Sequence, residues 1–128
     1  MNANITATNY VTYVNAELHF KDRFVCFVNI RRLPDMTDSD CRDKARTELA
    51  RFLYMEFLPG YVSNEIGIFR KIEIYFKENL ISTTSVCMYH GEYLNDAQFK
   101  EKALEQFLDS LGIRLSSGAD IREHMRRT

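Results

Sequence analysis

The stretch from Asn9 to Arg32 constrains the fold more than any other part of the sequence, because it has the pattern of a β-hairpin. Its first arm alternates two sets of side chains with a period of two, which is typical of a strand with one buried face. The second arm, from Phe24 to Ile30, is apolar on both faces. We therefore expect one face of the hairpin to line the core, and the other to be covered by further protein or by a partner.

The register of this hairpin follows from which apolar residues must share the buried face. A three-residue loop at residues 21–23 gives the pairs Phe20/Phe24, Leu18/Cys26, Ala16/Val28 and Val14/Ile30. A two-residue loop would disrupt this matching. The same register predicts Val25 beside His19 and Phe27 beside Glu17 on the other face.

A helix is predicted from Thr37, which can cap it, to Leu58. Apolar residues recur along this stretch at spacings of three and four, and Pro59-Gly60 ends it. We expect Cys41, Ala45, Leu49, Phe52, Leu53 and Phe57 to form the buried stripe.

A second hairpin is predicted from alternation over residues 68–76, a turn at Glu78-Asn79 and a β-branched arm over residues 80–89, whose register the pattern leaves open. Asn95 and Gln98 then match a capping box, which predicts a second amphipathic helix that ends at Gly112.

The element order predicts the α+β class, with two ββα units that form an antiparallel sheet and two amphipathic helices on one face of it. A short C-terminal helix is expected within residues 113–128, a C-terminal extension, and residues 1–8 are expected to be a loose lead-in. The element order repeats, but no residue identities are aligned between the halves. We expect residues 1–128 to form a single domain.

Composition narrows the functional class. The 128 residues, 45% hydrophobic and 27% charged, are typical of a globular domain that needs no disulfide or metal. The net charge of −1 argues against a dedicated nucleic-acid binder. Three scattered cysteines indicate reduced thiols and a cytoplasmic protein. We expect no membrane segment, since the longest apolar run, Phe24 to Val28, is too short to cross a bilayer.

The sequence predicts no catalytic residue, no cofactor and no metal site. Common phosphate-binding, dinucleotide-binding and hydrolase motifs are missing from it. A thiol nucleophile at Cys87 near His90, or at Cys26 near His19, is a weaker interpretation than packing, because spacing identifies no third group. The cysteines and histidines also lack the paired spacing of a zinc site. The chain is therefore not expected to be an enzyme.

Partner-binding residues are predicted on the outer face of the first hairpin, in an adjacent basic pair and in an acidic stripe on the second helix. They are Tyr13, Val25, Phe27, Arg31, Arg32, Glu101, Glu105 and Asp109. Exposed aromatic area is what protein interfaces favour, and the charged flanks would set orientation and association rate.

We interpret the chain as a small non-catalytic protein-binding domain. It would act by steric blockade, as an inhibitor or adaptor of the kind that phage and mobile-element genes encode. Homodimerisation through the same face is a rival, since a two-fold contact would bury Val25 and Phe27. A nucleic-acid-binding domain that uses arginine clusters and sheet aromatics is the alternative from another class.

Overall fold

The structure is a computed structural model that describes residues 12–117. Its elements, in chain order, are β1 Thr12–Phe20, β2 Arg23–Arg32, α1 Asp38–Ala50, β3 Leu53–Phe57, β4 Val62–Ser63, β5 Gly67–Phe76, β6 Asn79–Tyr89, α2 Asp96–Asp109 and β7 Gly112–Ser117. The mixed α+β class, with antiparallel strands and two helices, is confirmed.

The chain divides into two compact units. Among the described residues, the first unit combines residues 12–49 with residues 112–117, and the second is residues 50–111. Each unit has its own antiparallel sheet, so the expected single sheet is wrong: β2-β1-β7 form one, and β3, β4, β5 and β6 form the other. The single domain stays a prediction. The lead-in at residues 1–8 and most of the predicted C-terminal helix lie outside the described residues.

The first hairpin turns at Lys21 and Asp22, whose positive φ angles of 48° and 65° are those of a tight two-residue turn. The predicted three-residue loop is therefore wrong, and Phe20 pairs with Arg23. A register shift just beyond leaves Val25 as an extra residue opposite β1, which is a β-bulge. This bulge restores the predicted pairs Leu18/Cys26, Ala16/Val28 and Val14/Ile30.

The bulge determines on which face of the sheet the neighbouring side chains lie. Phe24 pairs with His19 and not with Phe20, so it lies on the face opposite to the one predicted. Val25, predicted beside His19, has no such partner. The buried side of the sheet includes Val14, Ala16, Leu18, Phe20 and Ile30, which confirms the core face expected from the alternation.

Helix α1 begins as the sequence predicts. The Oγ1 atom of Thr37 accepts a hydrogen bond from the Asp40 amide at 3.1 Å, and Oδ2 of Asp40 accepts one from the Thr37 amide at 2.9 Å. This reciprocal cap satisfies two amides that have no partner within the helix. Cys41, Ala45 and Leu49 are buried, as expected of the apolar stripe.

The predicted continuation of α1 to Leu58 is wrong, because the helix ends at Ala50. Residues 53–57 form β3 instead and pair with β5. Phe52, expected in the stripe, is exposed. In residues 53–57 every second side chain is partly buried, so a four-residue apolar spacing fits either a helix or a strand.

The second unit is built around β5, which pairs with β6 along one edge and with β3 and β4 along the other. Its hairpin turns at Lys77 and Glu78, with φ angles of 49° and 67°, one residue before the predicted position. A register shift again follows, and leaves Ile81 as the bulge residue. The predicted capping box at Asn95 and Gln98 is confirmed.

Helix α2 covers one face of the second sheet. Ile72 and Val86 from β5 and β6 form a buried cluster with Phe99 and Ala103 of the helix. The helix ends near Ser110, and the residues from Gly112 onward form β7 and pair with β1. The first part of the expected C-terminal extension, up to Ser117, is therefore a strand of a sheet.

The two units share one order of hairpin and helix, and some equivalent positions hold identical residues. Each hairpin has a two-residue turn at a lysine and an acidic residue, followed by a bulge, and each is followed by a capped helix. Identical residues occupy equivalent positions: Glu17 and Glu73, Phe20 and Phe76, Lys21 and Lys77, Asp38 and Asp96, Lys44 and Lys102, Ala45 and Ala103. Residues therefore do align between the halves, which corrects the expectation that only element order repeats.

Candidate interaction surfaces

The side of the first sheet opposite its buried residues is an open face that we call the first-sheet face. It consists of Tyr13, Glu17, His19, Phe24, Phe27, Arg31 and Arg114, which the pairing of β2, β1 and β7 places on one side. The position of the bulge matters here, because it adds Phe24 to this side.

Two phenylalanine rings form the apolar centre of the first-sheet face. The side chains of Phe24 and Phe27 are 52% and 58% exposed, and their ring centroids lie 4.8 Å apart. His19 meets the Phe24 ring edge-on, with centroids 5.7 Å apart. Exposed rings that contact one another make a rigid apolar area of the kind that protein interfaces use.

Polar groups on β1 and β7 lie beside these rings. The Nε2 atom of His19 and Oε2 of Glu17 are 2.6 Å apart, and Nη1 of Arg114 is 3.8 Å from the same carboxylate oxygen. Glu17 is half-buried because β1 is the middle strand of the sheet. The carboxylate is thus shared by two basic groups and fixes the orientation of the imidazole.

Tyr13, Phe27 and Arg31 are brought together as predicted. Tyr13 pairs with Arg31, Phe27 pairs with Glu17, and all three predicted residues are exposed. Phe24, which was expected in the core, takes the place beside His19 that had been assigned to Val25.

Arg32, by contrast, holds the start of α1. Its Nη1 atom donates to Oδ1 of Asp38 at 2.9 Å, and its Nε and Nη2 atoms donate to the Met36 carbonyl oxygen at 3.2 and 3.1 Å. These bonds occupy the guanidinium with its own chain, so its geometry indicates a structural role.

The acidic stripe on α2 is solvent-exposed at Glu101, Glu105 and Asp109. These residues belong to the second unit, whereas the first-sheet face belongs to the first. Their role in partner binding stays a prediction.

A second open face, which the sequence did not reveal, contains a pair of tyrosines and a pair of glutamates. Tyr54 is opposite Tyr75 across β3 and β5, and Glu56 is opposite Glu73. The tyrosine rings are 6.2 Å apart, and each hydroxyl donates to a glutamate on its own strand, at 2.8 Å for Tyr54 and Glu56 and 3.1 Å for Tyr75 and Glu73. We call these four residues the tyrosine–glutamate cluster.

The tyrosine–glutamate cluster borders a cavity of about 380 Å³, lined by Tyr54, Glu56, Tyr75, Lys77 and Glu78. The hydrogen bond to Glu56 raises the pKa of the Tyr54 phenol, and desolvation raises that of Tyr75, with a further contribution from its bond to Glu73. The sequence signal for this cluster was the alternation in residues 53–57, which was assigned to a helix.

The groups considered for thiol chemistry have other neighbours. The Nε2 atom of His90 lies 2.8 Å from the Asn64 carbonyl oxygen, and Cys87 is paired with Phe69 in the sheet. Within residues 12–117, no three His, Cys, Asp or Glu side chains are grouped so as to hold a metal ion. None of the helices in this range has the length and apolar character needed to cross a membrane.

No family model, curated protein or solved structure matches the chain.

Proposed function

We propose that the chain is a small non-catalytic protein-binding domain whose first-sheet face is covered by a partner protein. The observation that supports this is the exposed contact between Phe24 and Phe27 on an open antiparallel sheet. The domain would be an inhibitor or adaptor of the phage or mobile-element type, which blocks its partner sterically.

Energetics favour such a contact. Complete burial of one phenylalanine side chain is worth about 1.5–3 kcal/mol, so two adjacent rings provide a substantial apolar anchor. Arg31 and Arg114 lie on the same face at the side of this anchor, where charges act mainly on orientation and association rate. The bond between Glu17 and His19 holds part of the face in place before binding.

We further propose that the domain acts in the cytoplasm. Cys41 and Cys87 are free thiols, as expected for a protein of a reducing compartment.

Affinity capture from extracts of the source cells tests the proposed function. Immobilised wild-type protein is compared with Phe27→Asp and with Tyr93→Asp, a matched change at another exposed aromatic residue. We expect a protein that is retained by the wild type and by Tyr93→Asp, and lost from Phe27→Asp. Equal retention by all three proteins would contradict the proposal. If the retained protein is a second copy of the chain, homodimerisation replaces the inhibitor or adaptor function.

A nucleic-acid-binding domain is the second candidate. The observation in its favour is that Phe24, Phe27 and Tyr13 are exposed on a sheet face that also carries Arg31 and Arg114. Rings on such a face can stack on single-stranded bases while arginines contact phosphates. Binding of a labelled single-stranded oligonucleotide that falls steeply between 50 and 200 mM salt, on the order of tenfold or more, would support it. An apolar protein contact is much less sensitive to salt.

A further inference from the structure

The repeat between the two units extends to the third strand of each sheet. In the first unit β7 pairs with β1, so that Glu17 is opposite Arg114 and His19 is opposite Gly112. In the second unit β3 pairs with β5 in the equivalent register, which puts Glu56 opposite Glu73 and Tyr54 opposite Tyr75. The two sheets can therefore be compared position by position.

The comparison shows one reversal of charge. Glu17 and Glu73 are equivalent, and each accepts a hydrogen bond or ion pair from a ring group two residues further along its strand. Across from Glu17 stands the guanidinium of Arg114, whereas across from Glu73 stands a second carboxylate, that of Glu56. The second sheet thus repeats the glutamate of the first without the arginine.

Two like charges directly opposite each other on neighbouring strands are unfavourable, and a cation between them removes the cost. Among the groups that border the cavity, Lys77 lies in the hairpin turn and its Nζ atom is 5.3 Å from the Phe76 ring. Lys71, the other basic group on this face of β5, makes no ion pair within the part of the chain that the structure describes. This surface therefore carries three carboxylates, of Glu56, Glu73 and Glu78, and two basic groups, those of Lys71 and Lys77.

Two tyrosine rings lie beside these carboxylates on the same surface. Tyr54 is 60% exposed, and its ring is tilted 47° to that of Tyr75. A guanidinium can stack on such rings and also donate two hydrogen bonds to a carboxylate, whereas a compact ammonium ion cannot make the paired contact. Arginine is therefore the side chain that best matches both the rings and the carboxylates.

We propose that the tyrosine–glutamate cluster of the second sheet binds an arginine side chain from a basic segment of a partner protein, in the place that Arg114 holds opposite the equivalent glutamate of the first sheet. This surface is separate from the first-sheet face, so that each can be tested without the other.

The probe for this site is a pair of synthetic nonapeptides that differ at one position, with arginine in one and its uncharged isostere citrulline in the other. Each is titrated into uniformly ¹⁵N-labelled protein and followed by amide chemical shifts. We expect saturable shifts at Tyr54, Glu56, Glu73 and Tyr75 with the arginine peptide, and at least tenfold weaker binding of the citrulline peptide. Equal shifts with both peptides, or no shifts in β3 and β5, would overturn the proposal.

Substitutions test whether the arginine peptide binds at the tyrosine–glutamate cluster. Glu73→Gln and Tyr54→Ala are each expected to lower the affinity for the arginine peptide by tenfold or more. Glu65→Gln and Tyr93→Ala make the same changes at exposed positions of the same unit outside the cluster, and should bind as the wild type does. Unchanged affinity in Glu73→Gln would contradict the proposal.

Glu56→Arg provides an independent readout, because it places an arginine opposite Glu73, as Arg114 stands opposite Glu17. We expect this variant to lose binding of the arginine peptide and to unfold at a higher temperature than the wild type. A variant that remains folded and still binds the peptide would show that the site lies elsewhere.

Discussion

Phe27 and Leu18 are both large apolar side chains of the first hairpin, but they belong to opposite faces of its sheet. Leu18 is fully buried, whereas more than half of the Phe27 side chain is accessible to solvent. The sequence predicts that the two residues lie on opposite faces, because Leu18 alternates into the buried set of β1 and Phe27 is expected beside Glu17 on the other face. It did not predict the exposure of Phe24, since the bulge at Val25 breaks the period at that point.

Phe27→Asp should leave the protein folded. The change removes the ring contact with Phe24 and places a carboxylate opposite Glu17, so we expect the free energy of unfolding to fall by about 1–2 kcal/mol, which leaves the domain folded. Leu18→Ala is the control in the core and should cost about 2–5 kcal/mol. Urea unfolding followed by circular dichroism measures both. Unfolding of Phe27→Asp would show that Phe27 is a core residue and would remove the basis of the proposed function.

Glu92 contributes to stability in a manner that depends on pH. Its carboxylate accepts a hydrogen bond from the Tyr89 backbone amide at 3.1 Å and lies 3.2 Å from Nζ of Lys102. Both contacts lower the pKa of Glu92 below 4.5, and the hydrogen bond from Tyr89 contributes most. A group whose pKa is lower in the folded state stabilises above its unfolded pKa, and this stabilisation is lost as the pH falls through the folded pKa.

Glu92→Gln should therefore be less stable than the wild type at pH 7, and the difference should shrink as the pH falls below about 4, near the ordinary glutamate pKa. Thermal unfolding of both proteins between pH 7 and pH 3 measures this convergence. A difference that does not change with pH would contradict the assigned role of the carboxylate.

At the scale of the element, both hairpins have a two-residue turn, and neither turn contains the glycine that is usual in such turns. Lys21 and Asp22 both have positive φ angles, which non-glycine residues adopt at a cost of roughly 1 kcal/mol each. The turn type could not be read from the sequence, because the expected Asn-Gly or Asp-Gly pair is missing and the register favoured a longer loop.

Asp22→Gly is expected to stabilise the protein by up to about 0.5 kcal/mol, because glycine adopts the left-handed conformation without strain. Relief of roughly 1 kcal/mol of strain is partly offset by glycine's larger loss of backbone entropy on folding, which costs about 0.5–1 kcal/mol. Equilibrium urea unfolding gives the value. A loss of stability, as expected for glycine at an unstrained position, would show that the turn differs from the one described.

Gly67 is required at the start of β5 for a different reason. A Cβ atom at this position would clash with the carbonyl oxygen of Met88, a backbone atom of β6, so the strands would have to separate. Gly67→Ala should cost about 1–3 kcal/mol or more, as other overpacked sites do. Gly112→Ala is the matched control, because its Cβ would meet His19 at an ordinary 3.9 Å. Similar stabilities of the two variants would contradict this account.

The starts of the helices could be predicted from the sequence, but the end of α1 could not. The capping residues Thr37 and Asn95 marked both helix starts, because capping is a local interaction. The end of α1 was missed, since β3 is selected by hydrogen bonds to β5, which lies well beyond it in the chain. The pairing of β7 with β1 is likewise a long-range choice that no local pattern encodes.

The molecule as a whole consists of two units that share an order of elements but have different open faces. The first carries exposed phenylalanines with arginines beside them, and the second carries tyrosines with glutamates. The sequence predicts which face of the first hairpin carries Phe27 and Tyr13, because side chains alternate along each strand, but not that this face is open. The tyrosine–glutamate cluster could not be predicted, because it depends on β3 and on its register with β5.

The most direct test of the account is to ask what covers Phe27 in the source cells. A photoreactive phenylalanine analogue, p-benzoylphenylalanine, is introduced at position 27, and in a control protein at position 93, and the cells are irradiated before the chain is purified and analysed by mass spectrometry. We predict a covalent product with another polypeptide from position 27 and none from position 93. Products confined to the chain itself, or formed with nucleic acid, would contradict the claim that the first-sheet face binds a protein partner.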